Sequence, residues 1–186
     1  MTIVTEQGFE HYVGGAMLEQ GWALAAQGQD EQGMAQMHQG LAALQAAGTW
    51  LLVAEYLVLL AEAHGRIGQA EEGLRRLAEA LALVDATGEH HYAAEGYRLQ
   101  GELWRRQATP DGPQAECCFH QALAVARRQH AKSLELRTAI SLSRLWQQQG
   151  KRDAARQMLA EIYGWFTEGF DTADLQEAKA LLEELA

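Results

Sequence analysis

The chain has 186 residues, of which 48% are apolar and 22% charged, with a formal net charge of −10. These values are ordinary for a soluble domain with its own core. The acidic balance argues against a general nucleic-acid binder or a protein of anionic membrane surfaces, both of which need a basic face. No apolar run reaches the roughly 20 residues that span a bilayer.

The amino-acid composition predicts an all-α protein. The two prolines, Pro110 and Pro113, lie in one short segment, and the rest of the chain is rich in Ala, Leu, Gln, Glu and Arg, which favour helices. The two cysteines, Cys117 and Cys118, are neighbours and are poorly placed for a routine disulfide. With no signal peptide pattern at the N-terminus, we expect a reducing, cytoplasmic compartment.

A repeat with a step of about 40 residues organises the chain. Small residues recur at spacings of 40, 42 and 40, and each is followed four residues later by a large apolar residue. The small residues are Gly33, Gly73, Ala115 and Ala155, and the large ones are Met37, Leu77, Phe119 and Leu159. Small then large at i, i+4 is typical of a helical hairpin in which one helix lies close against the other.

We therefore predict four helical hairpins, at about 6–47, 49–87, 89–130 and 132–164. Their first helices are expected over 6–26, 49–66, 89–107 and 132–148. The predicted turns within hairpins lie at Gly28, Gly68, the segment 109–113 and Gly150. Gly48 and Gly88 are predicted to end helices in the left-handed conformation, whereas the third hairpin, ending near His130, lacks such a glycine.

The last segment predicts a capping helix over 172–185. Asp171 is its expected N-cap, and Asp174 would complement the helix dipole in the first turn. Its apolar face would cover the exposed end of the stack. An aromatic group is expected beneath it, made of Tyr163, Trp165, Phe166 and Phe170.

The stretch Trp50 to Arg66 predicts a helix that is buried on all sides but one. Its formal charges, on Glu55, Glu62 and Arg66, are seven and four residues apart and fall on one side. The same spacing recurs on the other first helices, and we call these positions the first-helix stripe. Further members and neighbours are Trp22, Glu95, Arg98, Glu102, Arg105, Arg106, Arg137, Arg144 and Gln148. Because first helices line the inner curve of a stack of hairpins, we predict one continuous concave surface.

Two interpretations of this surface stay open. In the first, it is a groove for an extended peptide or an acidic segment, with Trp22 as an aromatic anchor. Its arginines would hold carboxylates: Arg98, Arg105, Arg137 and Arg144. In the second, charges along one helix only neutralise each other, at a few tenths of a kcal/mol per pair. The binding interpretation is favoured because Arg137 and Arg144 have no acidic residue four positions away on their own helices.

The helix-turn-helix period and its small/large pattern resemble tetratricopeptide (TPR) repeats, with a step nearer 40 than 34. The strings LLAEAHGRIGQAEEGL, EGYRLQGELWRRQ, ARRQHAKSLELRTAISLSRLWQQQGKRDAA and YGWFTEGFDTADLQEAKALLEEL are similar to the C-terminal region of long bacterial signalling ATPases. In those proteins the repeats follow a nucleotide-binding module joined to a cyclase-like or DNA-binding regulator domain. The resemblance implies a right-handed superhelical solenoid used for protein contacts or signal reception.

The other residue clusters predict no catalytic, metal or cofactor site. His91 and Glu95 are two possible metal ligands without a third, and Cys117-Cys118-x-His120 lacks zinc-ligand spacing. We expect Cys118 in the core and Cys117 partly exposed. The predicted function is a non-catalytic scaffold that binds a protein or peptide, or a copy of itself. The alternative is a regulatory region of a cyclase or transcription-regulator ATPase that receives a small molecule or a partner domain.

Overall fold

The computed structural model describes residues 10–48, 52–88 and 90–186. Within these ranges the chain forms nine α-helices, one 3-10 turn and no β-strand, which confirms the all-α prediction. The helices are α1 (Glu10–Ala26), α2 (Asp30–Ala46), α3 (Val53–Arg66), α4 (Ala70–Thr87), α5 (Ala93–Arg106), α6 (Gly112–Arg128), α7 (Lys132–Gln148), α8 (Arg152–Tyr163) and α9 (Ala173–Glu184).

Consecutive helices pack in pairs, α1 with α2, α3 with α4, α5 with α6 and α7 with α8, as the repeat predicts. The predicted starts of the first two hairpins, at 6 and 49, and Trp50 lie outside the described residues. The third hairpin differs from the prediction, because a 3-10 turn over His90–Tyr92 precedes α5. Its first helix therefore begins at Ala93 rather than at 89.

Five glycines predicted at turns or helix ends have positive φ angles, whereas Gly112 of the predicted turn 109–113 is the first residue of α6. The five are Gly28 (84°), Gly48 (64°), Gly68 (79°), Gly88 (75°) and Gly150 (77°). In the third hairpin, which lacks such a glycine, His130 takes the left-handed conformation itself, with φ 54°. A side chain makes this conformation costly, by about 1–2 kcal/mol. The backbone geometry of the turn is therefore kept where the glycine is not.

The small/large pattern packs each hairpin as predicted. All four small residues are buried, and the large residues that follow them have no exposed surface. The closest approach is at Gly33, where an added Cβ would lie 2.5 Å from the carbonyl oxygen of Gly21. The helices α1 and α2 touch at their backbones there, which explains why the position holds glycine.

Residue contacts divide the chain into two compact units, one ending at Tyr92 and one spanning Ala93–Ala186. In the first unit, α3 is the most deeply buried helix. Its buried residues are Val53, Ala54, Tyr56, Leu57, Val58, Leu60, Ala61, Ala63 and His64. This confirms that α3 is packed on all sides except the charged one. The assignment of the whole chain to one right-handed solenoid domain stays a prediction.

In the second unit, α9 packs on α7 and α8 as the expected cap. It buries four side chains of its apolar face, Leu175, Ala178, Leu181 and Leu185. The prediction of Asp171 as N-cap is wrong. Thr172 holds that position without capping the helix, because its hydroxyl donates to the Gly169 carbonyl instead. Asp174 does lie in the first turn.

The aromatic group before α9 is only partly buried. Tyr163 and Phe166 pack against the core of the second unit. Trp165 and Phe170 are 59% and 48% exposed, so the prediction that they lie beneath the cap is wrong. Trp165 instead packs edge to face on Phe166 and lies near the ammonium of Lys132.

Candidate functional site

The first-helix stripe of the first unit is accessible. Glu55 and Glu62 are partly exposed and Arg66 is exposed, while the opposite side of α3 is buried. The separation of charged and apolar sides follows from spacings of seven and four residues on a helix. The three predicted site residues of α3 therefore share one side of the helix, and each reaches solvent.

Trp22 lies next to this stripe and is fixed in orientation by it. Its indole N–H donates to Glu62 Oε2 across 2.9 Å, although the two residues are 40 positions apart. The side chain remains partly exposed. A charge-assisted hydrogen bond limits the rotamers of both side chains, and a side chain that is already ordered costs less entropy on binding.

Tyr56 is a buried neighbour of this surface, only 6% exposed, and was not predicted. An added Cβ on Gly15 would lie 2.5 Å from the Tyr56 hydroxyl, so the absent side chain of Gly15 makes room for the phenol. Burial raises the pKa of Tyr56, and the charges of Glu19 and Glu55 raise it further. The phenol is therefore neutral near pH 7. The only sequence feature that could have indicated this contact is Gly15, which lies one repeat step of 40 residues before Glu55.

Carboxylates dominate this part of the stripe. Glu19 and Glu55 lie close enough to Tyr56 for their charges to raise its pKa, and Glu62 accepts the Trp22 hydrogen bond. His91 Nε2 lies 3.6 Å from Glu55 Oε2. No group of three His, Cys, Asp or Glu side chains in the described ranges is arranged to hold a metal ion.

In the second unit, two of the predicted arginines are paired on their own helix and tied to α7. Arg98 forms a bidentate pair with Glu95, at 2.9 and 2.6 Å, and also donates to Ser141 Oγ. Arg105 pairs with Glu102 and donates to Gln148 Oε1 at 3.0 Å. These arginine side chains are less than 20% exposed. They match the interpretation in which charges neutralise each other, and they connect α5 to α7.

The other two arginines, Arg137 and Arg144, are paired with the capping helix. Arg137 Nε donates to Asp174 Oδ2 across 2.7 Å, and Arg144 Nη1 lies 2.9 Å from Glu177 Oε1. Burial alone would lower the pKa of Arg137, but the hydrogen bond and the charge of Asp174 raise it above its usual value. The sequence argument for Arg137 and Arg144, that no acidic residue lies four positions away on α7, is therefore incomplete. It considered only neighbours on α7, whereas the partners come from α9.

The two kinds of pair differ in exposure. The arginine and carboxylate side chains of the Arg98–Glu95 pair are 17% and 13% exposed. Those of the Arg144–Glu177 pair are 49% and 41% exposed. An exposed ion pair contributes about 0–1 kcal/mol because solvent screens it. The pairs on α5 are thus part of the packing, while the pairs between α7 and α9 can be broken at little cost.

The sequence analysis also did not predict a buried charge cluster in the second unit, formed by Glu135, Arg127 and Lys132. The carboxylate of Glu135 is 5% exposed and accepts from Arg127 Nε at 2.8 Å and Lys132 Nζ at 2.7 Å. Burial would raise the pKa of Glu135, but these two hydrogen bonds and charges lower it. The cluster joins α6 to the start of α7 and is structural, because Glu135 is enclosed.

The remaining sequence predictions are tested by burial. Cys118 is buried and Cys117 exposed, both as free thiols, as predicted. Trp104 and Trp146 are partly buried and pack against the core of the second unit. In the described ranges, no helix is long and apolar enough to cross a membrane.

Comparison with known proteins supports the fold. No protein-family model and no curated protein matches the chain. Among solved structures, it is similar to a kinesin light chain-like protein from Podosopora anserina with nearly identical TPR-like repeats. The TM-score is 0.71, with 17% identity, over 95% of this chain and 86% of that one. The Q17M form of that protein gives a TM-score of 0.69 and 16% identity, over 95% of this chain and 93% of that one.

At this level of identity the likeness establishes the fold alone. The helical hairpins of the chain have the TPR-like repeat fold, as the sequence resemblance implied. Repeat folds of this kind commonly present extended surfaces to protein partners.

Proposed function

We propose that the protein is a non-catalytic scaffold that binds a peptide or a partner domain through its first-helix stripe. The observation that carries this proposal is the Trp22–Glu62 hydrogen bond, which holds a partly exposed indole in place on an accessible surface. Ordered aromatic side chains beside charged groups are the usual anchors of protein interfaces. The TPR-like fold supports the same conclusion.

Affinity capture with two charge-matched variants tests this proposal. Glu55→Lys/Glu62→Lys reverses the charge of the stripe on α3. Glu71→Lys/Asp85→Lys makes the same change in net charge at exposed positions of α4. A partner of the stripe is expected to bind the wild type and the α4 variant and to be lost with the α3 variant. Capture of the same proteins by all three forms would contradict the proposal.

The sequence resemblance supports a more specific setting, the regulatory region of a bacterial cyclase or transcription-regulator ATPase. In that setting the surface receives a small molecule or the ATPase domain in the cytoplasm. Thermal unfolding in the presence of candidate small molecules separates the two roles. A ligand that raises the melting temperature by several degrees would favour the sensor, since a bound ligand stabilises the folded state by mass action.

Self-association is a further option for the stripe. Sedimentation over a range of protein concentrations tests it directly. A molecular mass that rises with concentration in the wild type, and not in Glu55→Lys/Glu62→Lys, would identify a second copy as the partner. A constant monomer mass would remove this option.

A further inference from the structure

The contact between α7 and α9 places two carboxylates on two arginines. Arg137 and Arg144 are seven residues apart and share one side of α7. Asp174 and Glu177, three residues apart on α9, pair with them at 2.7 and 2.9 Å. The capping helix thus supplies an acidic pattern to the part of the stripe that carries positive charge.

In these ion pairs, each arginine keeps N–H donors that the carboxylate of α9 does not use. The side chains of Arg137 and Arg144 are 47% and 49% exposed. The bond to Asp174 uses Nε of Arg137, and the contact with Glu177 is made by one terminal nitrogen of Arg144. A guanidinium has five N–H donors in a planar fork, so each arginine has further donors for an incoming carboxylate.

The helix α9 does not depend on these pairs for its position. Its apolar side chains Leu175, Ala178, Leu181 and Leu185 are at most 4% exposed and belong to the core of the second unit. Burial of several aliphatic side chains outweighs two partly exposed ion pairs. The carboxylates can therefore leave the arginines while the helix stays in place.

We propose that Arg137 and Arg144 bind an acidic protein segment, and that Asp174 and Glu177 occupy this site as an exchangeable internal ligand. The inference rests on the proposed scaffold function and specifies the chemistry of one partner. The four arginines that the sequence predicted to hold carboxylates then divide into two classes. Arg98 and Arg105 hold α5 to α7, and Arg137 and Arg144 are available for exchange.

A peptide-binding experiment tests the exchange. The probe is a fluorescein-labelled peptide that copies residues 171–177, which carry three carboxylates. Fluorescence polarisation is measured at low salt, where Coulomb attraction is least screened. Asp174→Asn/Glu177→Gln frees the arginines and is expected to raise the affinity about tenfold over wild type. Arg137→Gln/Arg144→Gln is expected to abolish binding.

The matched control is Glu183→Gln/Glu184→Gln, which removes two exposed carboxylates from the same helix. It makes the same change in net charge without touching the arginine pairs, and its affinity should stay within about twofold of wild type because distant exposed charges are screened. A probe peptide with all three acids replaced by amides should not bind. A similar gain in the control variant would show a non-specific charge effect and would overturn the proposal.

Two further results would also overturn it. One is equal affinity, or no binding, in the wild type and Asp174→Asn/Glu177→Gln. The other is a loss of more than about 15 °C in melting temperature in that variant, which would show that the ion pairs hold α9 in place. Neither result bears on the scaffold proposal, which is tested by capture through the α3 residues Glu55 and Glu62.

Discussion

Trp22 and Glu62 occupy equivalent positions one repeat apart, and they are joined by a hydrogen bond from the indole N–H to the carboxylate. The repeat thus places two corresponding side chains of α1 and α3 side by side in the first unit. The bond connects the first helices of consecutive hairpins on the same surface that we propose for partner binding.

A double-mutant cycle measures this connection. Trp22→Phe removes the donor and Glu62→Gln removes the charge of the acceptor. We expect a coupling free energy of about 1 kcal/mol in urea unfolding, because the bond is partly buried and charge-assisted. The cycle of Trp22→Phe with Glu55→Gln is the control and should give a coupling near zero. Additive effects of Trp22→Phe and Glu62→Gln would contradict the role of the bond.

Gly33→Ala tests the close approach of α1 and α2. The new Cβ would lie 2.5 Å from the Gly21 carbonyl oxygen and 2.7 Å from the Ala25 nitrogen, which are backbone atoms that cannot move aside. We expect a loss of about 3 kcal/mol in the free energy of unfolding. In Gly112→Ala, at the start of α6, the new Cβ would meet only a side chain at 3.8 Å. That control should change stability by less than about 1 kcal/mol, and an equal loss in both would contradict the packing argument.

His130→Gly tests the turn that lacks a glycine. Glycine adopts a φ of 54° without the steric cost that histidine incurs, so we expect the variant to be more stable by about 0.5–1 kcal/mol after its larger unfolded-state entropy is included. His130→Ala keeps a Cβ and should show no such gain. Thermal unfolding of the three proteins compares them directly. A destabilised His130→Gly variant would show that the histidine side chain makes a contribution beyond its backbone.

Glu135→Gln tests the buried charge cluster through its pH dependence. A carboxyl group whose pKa is lowered in the folded state stabilises the protein above its unfolded pKa, here about 4.5. That stability is lost as the pH falls through the folded value. We expect the variant to be less stable by about 2 kcal/mol at pH 7, because Arg127 and Lys132 lose their anionic partner. The difference between the two proteins should shrink below about pH 4.5.

The control for this measurement is Glu183→Gln, which removes an exposed carboxylate of α9. Its effect on the free energy of unfolding should be small and nearly independent of pH between 3 and 7, since solvent screens the group. A difference between wild type and Glu135→Gln that stays constant over this range would show that the carboxylate is not stabilised by its two partners.

The sequence alone was sufficient for the repeat, the helical hairpins and the sidedness of the first helices. Gly33 and Met37, and their counterparts one repeat later, are close in the chain, so their pattern is visible without coordinates. The same holds for Glu55 and Glu62, which lie on one side of α3 because seven residues are nearly two helical turns. Gly88 likewise ends α4 in the left-handed conformation that its position predicted.

Tertiary packing alone decided which charges meet. Arg137 and Asp174 are 37 residues apart, and the register of α9 against α7 is set by the burial of Leu175 and its apolar neighbours. Helical periodicity predicts the side of the helix on which a residue lies. It does not predict which residue of a neighbouring helix lies opposite that residue. For this reason the arginine-bearing side of α7 was predicted correctly, while the carboxylates that occupy its arginines were found only in the structure.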